Sequence, residues 1–173
     1  MKESKPKPYW SPYLAGLGLG LVLLLSYVIL GEGLGASGAF ARFEYTVLRA
    51  IVPKHVESNP YMFEYFANGA NPLADSLVFI VIGVFVGGFV SGIAAGRFKK
   101  AVDKGLRISQ GGRFAFAFIG GTLMGIGARI ARGCTSGQAL SGGATLALGS
   151  WAFMFAVFGG GYAAAYFIRR QWL

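Results

Sequence analysis

The chain has 173 residues, of which 54% are apolar, 13% are charged and 28 are glycine. A soluble domain of this size needs more charged surface, and the single cysteine excludes an intrachain disulfide framework and a dithiol redox pair. The net charge of +9 comes from short basic clusters beside apolar runs, which is typical of membrane-protein loops rather than of nucleic-acid binding.

The first segment predicts a tail followed by a membrane span. Residues 1–13 are basic and proline-rich and end in three aromatic residues, which indicates a cytoplasmic tail with an interfacial anchor. The uncharged run 14–31 is long enough, with its flanks, to cross a bilayer. A cleaved signal peptide is the alternative, with a possible site at Ala39-Phe40-Ala41, but the apolar core is long for that role and the site lies late.

A glycine-rich break, a helix and a loop come next. After the break, apolar residues recur at helical spacing, so residues 33–52 predict a broken segment that contains an amphipathic helix. Ser37 can cap this helix, and Pro53 ends it. Residues 54–72 contain Asn-Pro twice without a clear period, which predicts an irregular loop. We assign no role to His55, the histidine of this loop.

The charges of the loops predict an orientation. Residues 76–96 are uncharged and predict the second span. Residues 97–113 carry six Lys or Arg against one Asp, whereas residues 32–75 carry three basic against five acidic residues. The positive-inside tendency therefore predicts that both termini are cytoplasmic, that the 32–75 loop is external, and that the chain crosses the cell (inner) membrane several times.

The third uncharged run, residues 114–128, is too short to cross a bilayer by itself. Its 15 residues reach about 22 Å as a helix, against a hydrocarbon core of about 30 Å. A span at about 113–132 must therefore carry Arg129 and Arg132 near or inside the membrane.

The next charge after Arg132 is Arg169, which is too far for one helix and too near for two full spans. A short re-entrant segment at about 133–142 and a fourth span at about 144–168 fit this length. Non-helical backbone at membrane depth requires cover from protein or a watery cavity.

A faint internal repeat agrees with this division. Residues 35–39, GASGA, can be laid over residues 134–138, CTSGQ, and each stretch follows an apolar span and precedes a short helical piece and another span. The sequence therefore predicts an all-α integral membrane protein, a single membrane domain over residues 14–173. It has about four transmembrane helices, short re-entrant or broken segments and a weak two-fold repeat.

The two intramembrane arginines predict an anion site. An arginine in a span costs at least about 2.5–3.5 kcal/mol and tends to mark an ion pathway or a buried partner. Arg129 and Arg132 are three residues apart and are expected to share a helix face. The alternative is that both side chains reach out to the membrane interface.

The glycine-rich turn after the arginines adds donors for a sulfur-containing anion. Gly133 and Gly137 flank Cys134, Thr135 and Ser136, so the turn offers backbone N–H groups, two hydroxyls and a thiol that can bond weakly to sulfur. The alternative is a buried thiol that packs as a small apolar group.

These residues resemble a known family. GIGARIARGCTSGQALSG looks like the signature of YeeE/YedE-type membrane proteins, which are associated with transport of thiosulfate and related sulfur compounds, and GLGLGLVLLLSYVILGEGLGASGAF resembles their entry segment. The resemblance implies uptake of thiosulfate with transient S–H···S contacts from Cys134. The first break has Ser37 in place of a cysteine, and the chain looks half the length of the larger members.

Three functions are weighed. The first is a transporter or transporter subunit that binds thiosulfate or a related anion, without a cofactor or metal, as a homodimer or paired with a second half-size homologue. Its substrate-binding residues are expected to be Cys134, Arg129, Arg132, Gly133, Thr135, Ser136, Gly137 and Ser37. The second is a membrane sulfurtransferase or thiol protein with Cys134 as nucleophile, and the third is a structural subunit without a pathway.

Overall fold

A computed structural model describes residues 7–98 and 102–169, apart from the side chain of Asn68. In this part of the chain the α-helices are α1 (Pro12–Leu30), α2 (Ser37–Ile51), α3 (Pro53–Ser58), α4 (Pro60–Phe63), α5 (Ser76–Ala94), α6 (Gln110–Ile130) and α7 (Leu148–Ile168). Two 3₁₀ turns, Glu64–Gly69 and Pro72–Ala74, and a π-helix, Thr135–Gly142, complete the order.

Four of these helices, α1, α5, α6 and α7, are long and apolar enough to cross a membrane. This confirms the predicted all-α membrane protein with four spans. Most of their apolar side chains are exposed, as expected of helices whose solvent is lipid. Their starts are fixed locally: Asp75 accepts a bond from the N–H of Leu77 at α5, and Ser109 accepts one from Gly112 at α6.

The chain forms two compact units, Met1–Arg97 and Phe98–Leu173. The first contains two long helices, α1 and α5, separated by the broken segment that leads into α2. The second contains α6 and α7, separated by the π-helix. Each unit thus follows the order span, broken segment, span that the sequence predicted.

Residues 54–72 are not the irregular loop that we expected. Asn59 and Asn71 each use the side-chain oxygen to accept a 3.0 Å bond from the N–H two residues later. The following prolines, Pro60 and Pro72, occupy the first positions of α4 and a 3₁₀ turn. Asn-Pro therefore starts helical turns here. The asparagine side chain caps the free N–H groups at the start of the turn. Proline suits the first helical position, where a backbone N–H would have no partner within the helix.

These short turns pack on α2 around a small apolar cluster, whose buried members are Ala41, Tyr45, Val56 and Phe66. Tyr45 also contacts the rings of Tyr61 and Tyr65, with centroids 6.3 and 5.3 Å away. Burial raises the pKa of the Tyr65 phenol, and the neighbouring Tyr61 raises it further. The segment between α1 and α5 is therefore a folded cap rather than a flexible connection.

Candidate functional site

Helix α6 ends in a closed turn that holds Arg132 in a left-handed conformation. The N–H of Gly133 donates to the carbonyl of Ala128 at 2.9 Å. The N–H of Arg132 donates to the carbonyl of Arg129 at 3.3 Å. This bond pair is the Schellman motif, in which glycine usually takes the left-handed position. Arg132 takes it here with a φ of 56°, which costs about 1 kcal/mol and must be imposed by the surroundings.

The expectation that Arg129 and Arg132 share one helix face is therefore wrong. Arg129 lies in the last turn of α6, where a cation interacts favourably with the helix dipole. Arg132 lies beyond the helix, because α6 ends at Ile130. Both side chains are exposed in the structure, and the closed turn rather than helical periodicity sets their relative position.

The π-helix that follows begins directly after Cys134. Cys134 has an extended backbone, and its Sγ lies 3.0 Å from the Oγ of Ser136, where either atom can be the donor. The thiol is half-buried and Thr135 is exposed. If the Ser136 hydroxyl donates to the sulfur, the thiol can donate to a third group. A π-helix is rare, occurs mostly as a single-turn bulge within an α-helix, and is frequently found at functional sites.

Gln138 connects the end of α6 to α7. Its Nε2 donates to the carbonyl of Ala131 at 2.6 Å, and its Oε1 accepts from the Oγ of Ser150 at 3.0 Å. Ser150 is buried, with 4% of its surface exposed. The amide therefore satisfies a carbonyl at the helix end and a buried hydroxyl at the same time. The side chain also lies against Gly133, where an added Cβ would meet its Cγ at 2.8 Å.

The π-helix packs tightly on the start of α7. A Cβ added at Gly142 would lie 2.1 Å from the Oγ and 3.0 Å from the Cβ of Ser150, so a larger residue there would force Ser150 to move. The segment then closes as α6 does: the N–H of Ala147 donates to the carbonyl of Gly142 at 3.1 Å, and Leu146 takes the left-handed position with a φ of 57°. Arg132 and Leu146 thus delimit a segment held by strained turns at both ends.

The first break is built differently. Gly31 takes the left-handed position after α1, with a φ of 71°. Ser37 is the first residue of α2, but the capping position is Ala36 and no side chain caps the helix. The predicted capping role of Ser37 is therefore wrong, and its predicted role in substrate binding stays untested.

Arg42 is a residue of the first unit that the sequence analysis did not select. Its guanidinium forms a 2.7 Å ion pair with Asp75 and donates to the carbonyl of Gly38 at 3.2 Å. An added Cβ at Gly38 would meet Leu77 at 2.8 Å. The charge of Arg42, near the first break, is thus paired with the carboxylate of Asp75.

Charge is distributed differently in the second unit. Asp103 is the one acidic residue in the sequence from 98 to 173, and it precedes α6. Arg129 lies in the last turn of α6 and Arg132 just beyond it, at the other end of the helix. A helix of 21 residues is about 30 Å long. The end of α6 therefore joins two arginines, a thiol and hydroxyls, an arrangement that can hold a small anion.

The structure brings two of the predicted site residues into contact. Cys134 contacts Ser136, and Gly133 packs against Gln138. The sequence analysis missed Gln138, Gly142 and Ser150; the signal was an amide within an uncharged run, which needs a partner at membrane depth. Within residues 7–98 and 102–169, no three His, Cys, Asp or Glu side chains are grouped to hold a metal ion.

Comparison with known proteins identifies relatives along most of the chain. A family model described as sulphur transport matches residues 2–163. This match confirms the resemblance to YeeE/YedE-type proteins that the sequence suggested. No solved structure matches.

Three relatives are transporters by name. The chain is 28% identical to "Probable transporter YedE" of Escherichia coli (strain K12) over 160 residues, which cover 92% of this chain and 38% of the relative. It is 30% identical to "Thiosulfate transporter TsuA" of the same organism over 132 residues, or 76% of this chain and 32% of the relative. A "Probable transporter" of Xylella fastidiosa (strain 9a5c) is 25% identical over 134 residues, 78% of this chain and 76% of that protein.

The chain thus spans well under half the length of the two Escherichia coli relatives that it matches. The names of the relatives agree with the prediction that the chain is not an enzyme.

The contact between Gly142 and Ser150 generates a prediction about stability. Gly142→Ala places a methyl group against Ser150, so we expect a loss of about 1–3 kcal/mol, measured as a lower midpoint of thermal unfolding in detergent. Gly143→Ala is the matched control, because nothing lies within 4 Å of a Cβ there. Adding Ser150→Gly should partly restore the midpoint. Equal midpoints for the two alanine variants would contradict the packing.

Proposed function

The chain belongs to the sulphur transport family, and from that premise we propose that it is a transporter, or one subunit of a transporter, that imports thiosulfate or a related sulfur-containing anion. The observation that carries the proposal is the segment between the two strained turns, where Cys134 lies 3.0 Å from Ser136 beside a helix end with two arginines. One relative is named a thiosulfate transporter.

The chemistry of thiosulfate suits this segment. The anion has oxygens that accept strong bonds from guanidinium groups and a terminal sulfur that is large and polarisable. Arg129 and Arg132 supply planar donors for the oxygens. The thiol of Cys134 is a weak donor whose softness matches sulfur. Gly133, Thr135, Ser136 and Gly137 supply backbone N–H groups and hydroxyls along the same turn.

The bonds of Gln138 give this segment the rigidity that selective binding needs. Its two bonds fix the turn to α6 and α7 at 2.6 and 3.0 Å. A preorganised site loses little entropy when an ion binds. The substrate groups are thus on the turn, and Gln138 acts as a positioning residue behind them.

A sulfurtransferase that uses Cys134 as nucleophile is the alternative from another class. Such chemistry would leave a persulfide on Cys134 during turnover, which mass spectrometry of the intact protein would detect. A structural subunit without a pathway would tolerate substitution of both the thiol and the arginines.

We also propose an arrangement in the inner membrane with both termini in the cytoplasm, on the basis of the basic 97–113 and acidic 32–75 loops. The working unit is a homodimer, or a pair with a second half-size homologue. This pairing rests on the single thiol and on the two broken segments, which would need others to face them across a pathway.

The thiol generates the first prediction. Cys134→Ala should lower uptake of labelled thiosulfate by at least about tenfold, because one directional contact to the ion is lost. Cys134→Ser should fall between, since a hydroxyl still donates but fits sulfur less well. Ser136→Ala removes the 3.0 Å neighbour of the thiol and one hydroxyl of the proposed site, so uptake should fall by less than in Cys134→Ala. Normal uptake by Cys134→Ala, at equal protein levels, would show that the thiol only packs against its neighbours and does not bind the ion.

Arg132 generates the second prediction. Arg132→Gly removes the charge but suits the left-handed position, so the turn should persist while uptake falls about 10- to 100-fold. Arg132→Lys should keep part of the uptake, because lysine retains charge without the planar fork. Leu146→Gly makes the same backbone change without a change of charge and should transport normally. Normal uptake by Arg132→Gly would favour an arginine that only reaches the membrane interface, and Arg129→Ala tests its neighbour in the same way.

A single fusion tests the arrangement. A green fluorescent protein attached after residue 173 should fluoresce in bacteria, because it folds only in the cytoplasm. Single molecules of the purified fusion should bleach in two steps if the unit is a homodimer. One step together with a second co-purifying chain would indicate the half-size partner. A dark fusion would contradict the orientation, and one step from a chain that transports alone would contradict the pairing.

A further inference from the structure

A cavity of about 490 Å³ lies where the N-terminal segment meets the end of α5. It lies entirely within the first unit and shares no residue with the break after α6. We call it the N-terminal pocket, and its lining combines two basic residues, two aromatic residues and small residues of α5. The residues that matter here are Lys7, Tyr9, Trp10, Ser91 and Arg97.

The N-terminal pocket is held together through the backbone of Lys7. The N–H of Lys7 donates to the carbonyl of Ala95 at 3.1 Å. The carbonyl of Lys7 accepts a bond from the guanidinium of Arg97. Because both bonds use main-chain atoms of Lys7, they do not need its ammonium group. The charge at position 7 can therefore be removed without removing the contacts that form the pocket.

Arg97 is fixed in position from three sides. Its guanidinium lies over the ring of Tyr9, 3.5 Å from the centroid, and donates to Lys7. Its backbone N–H donates to the carbonyl of Gly92 at 2.9 Å, and Gly96 takes the left-handed position of this turn with a φ of 67°. A guanidinium has five N–H donors in a rigid fork, so the bond to Lys7 leaves donors for an oxyanion.

The end of α5 does not oppose an anion at this place. A helix C-terminus usually carries carbonyl oxygens without partners, which repel negative charge. Here the carbonyls of Ser91, Gly92, Ile93 and Ala95 accept bonds from the backbone N–H groups of Ala95, Arg97, Gly96 and Lys7, respectively. The Lys7 and Arg97 charges therefore dominate the pocket.

The surroundings indicate the membrane interface. Tyr9 and Trp10 are 83% and 79% exposed, and such aromatic residues belong at the level of lipid headgroups. Lysines at positions 2 and 5 precede the pocket, and those at 99 and 100 follow it. Basic clusters next to a membrane helix attract anionic lipids by about 1 kcal/mol per residue.

We propose that the N-terminal pocket binds the phosphate group of an anionic phospholipid. Arg97 and the ammonium of Lys7 contact the phosphate, Tyr9 and Trp10 lie beside the glycerol region, and the acyl chains run along the exposed apolar faces of α1 and α5. This site is independent of thiosulfate transport and of the residues assigned to it.

The test uses Trp10 as a reporter. The sequence has three tryptophans, so Trp151→Phe and Trp172→Phe leave Trp10 alone in the full chain. This protein is reconstituted in phosphatidylcholine vesicles with increasing amounts of bromine-labelled phosphatidylglycerol, whose bromine quenches a nearby indole. We expect half-maximal quenching at a much lower fraction of the brominated anionic lipid than of brominated phosphatidylcholine.

Charge variants distinguish lipid binding in the N-terminal pocket from general attraction of anionic lipid to the basic surface. Lys7→Gln should raise the half-maximal fraction of phosphatidylglycerol about fivefold, while its backbone contacts persist. Lys104→Gln removes the same charge outside the pocket and should leave the value nearly unchanged. Arg97→Lys should weaken binding, since the fork and its stacking on Tyr9 are lost. Millimolar inorganic phosphate should not relieve the quenching.

Three results would overturn the proposal. Equal quenching by the two brominated lipids would show no selectivity for the anionic headgroup. Equal shifts for Lys7→Gln and Lys104→Gln would show attraction to the basic surface without a site. Relief of quenching by inorganic phosphate would assign the pocket to a free phosphate rather than to a lipid.

Discussion

The side chain of Gln138 is the contact on which the second unit depends. A chain that stops being helical at membrane depth exposes backbone groups that lipid cannot satisfy. Gln138 meets this need with one amide, which donates to Ala131 and accepts from Ser150. The π-helix can therefore leave α6 and meet α7 with both the Ala131 carbonyl and the buried Ser150 hydroxyl hydrogen-bonded. The turn that carries Gly133, Cys134, Thr135, Ser136 and Gly137 lies between the end of α6 and this amide.

The two units place different residues in the left-handed positions of their turns. At Gly31 and Gly96 glycine takes the left-handed position, where it is unstrained. At Arg132 and Leu146 a larger residue takes it, and both lie at the ends of one segment. The first unit pairs Arg42 with Asp75 at 2.7 Å, whereas in the second unit Arg129 and Arg132 lie at the opposite end of α6 from Asp103. The two strained turns thus lie in the unit that carries the proposed anion site, and strained backbone tends to occur at functional sites.

The sequence predicted the parts of the fold that depend on whether a segment lies in lipid or in water. Uncharged runs of membrane length must be helical spans, so the four spans and the two breaks followed from composition and charge spacing alone. The Cys134 signature and the arginines around it were also visible. Asn-Pro was ambiguous, because the same pair opens a loop or caps a helix, and Asn59 and Asn71 proved to be caps.

The remaining features depend on information that the spacing of residues does not contain. Helical periodicity placed Arg129 and Arg132 on one face, but it could not predict that α6 ends between them. Ser37 had the chemistry of a cap, yet Ala36 takes that position. The partners of Gln138 lie seven residues before it and twelve after it, so only the folded chain identifies the amide as a bridge. Local pattern therefore selected the candidate segment, and tertiary contacts determine its shape.

The π-helix also has a consequence for how the family signature can vary in length. Its first and last turns are joined to ordinary helical bonds, from Gln138 to Cys134 and from Thr145 to Ser141. The segment therefore differs from a plain α-helix by a small excess of chain. Deleting one residue between 135 and 142 would keep the segment helical but rotate what precedes it by about 100° relative to α7. Cys134 would then face another direction with its chemistry unchanged. An alignment gap in this stretch thus carries as much meaning as a substitution.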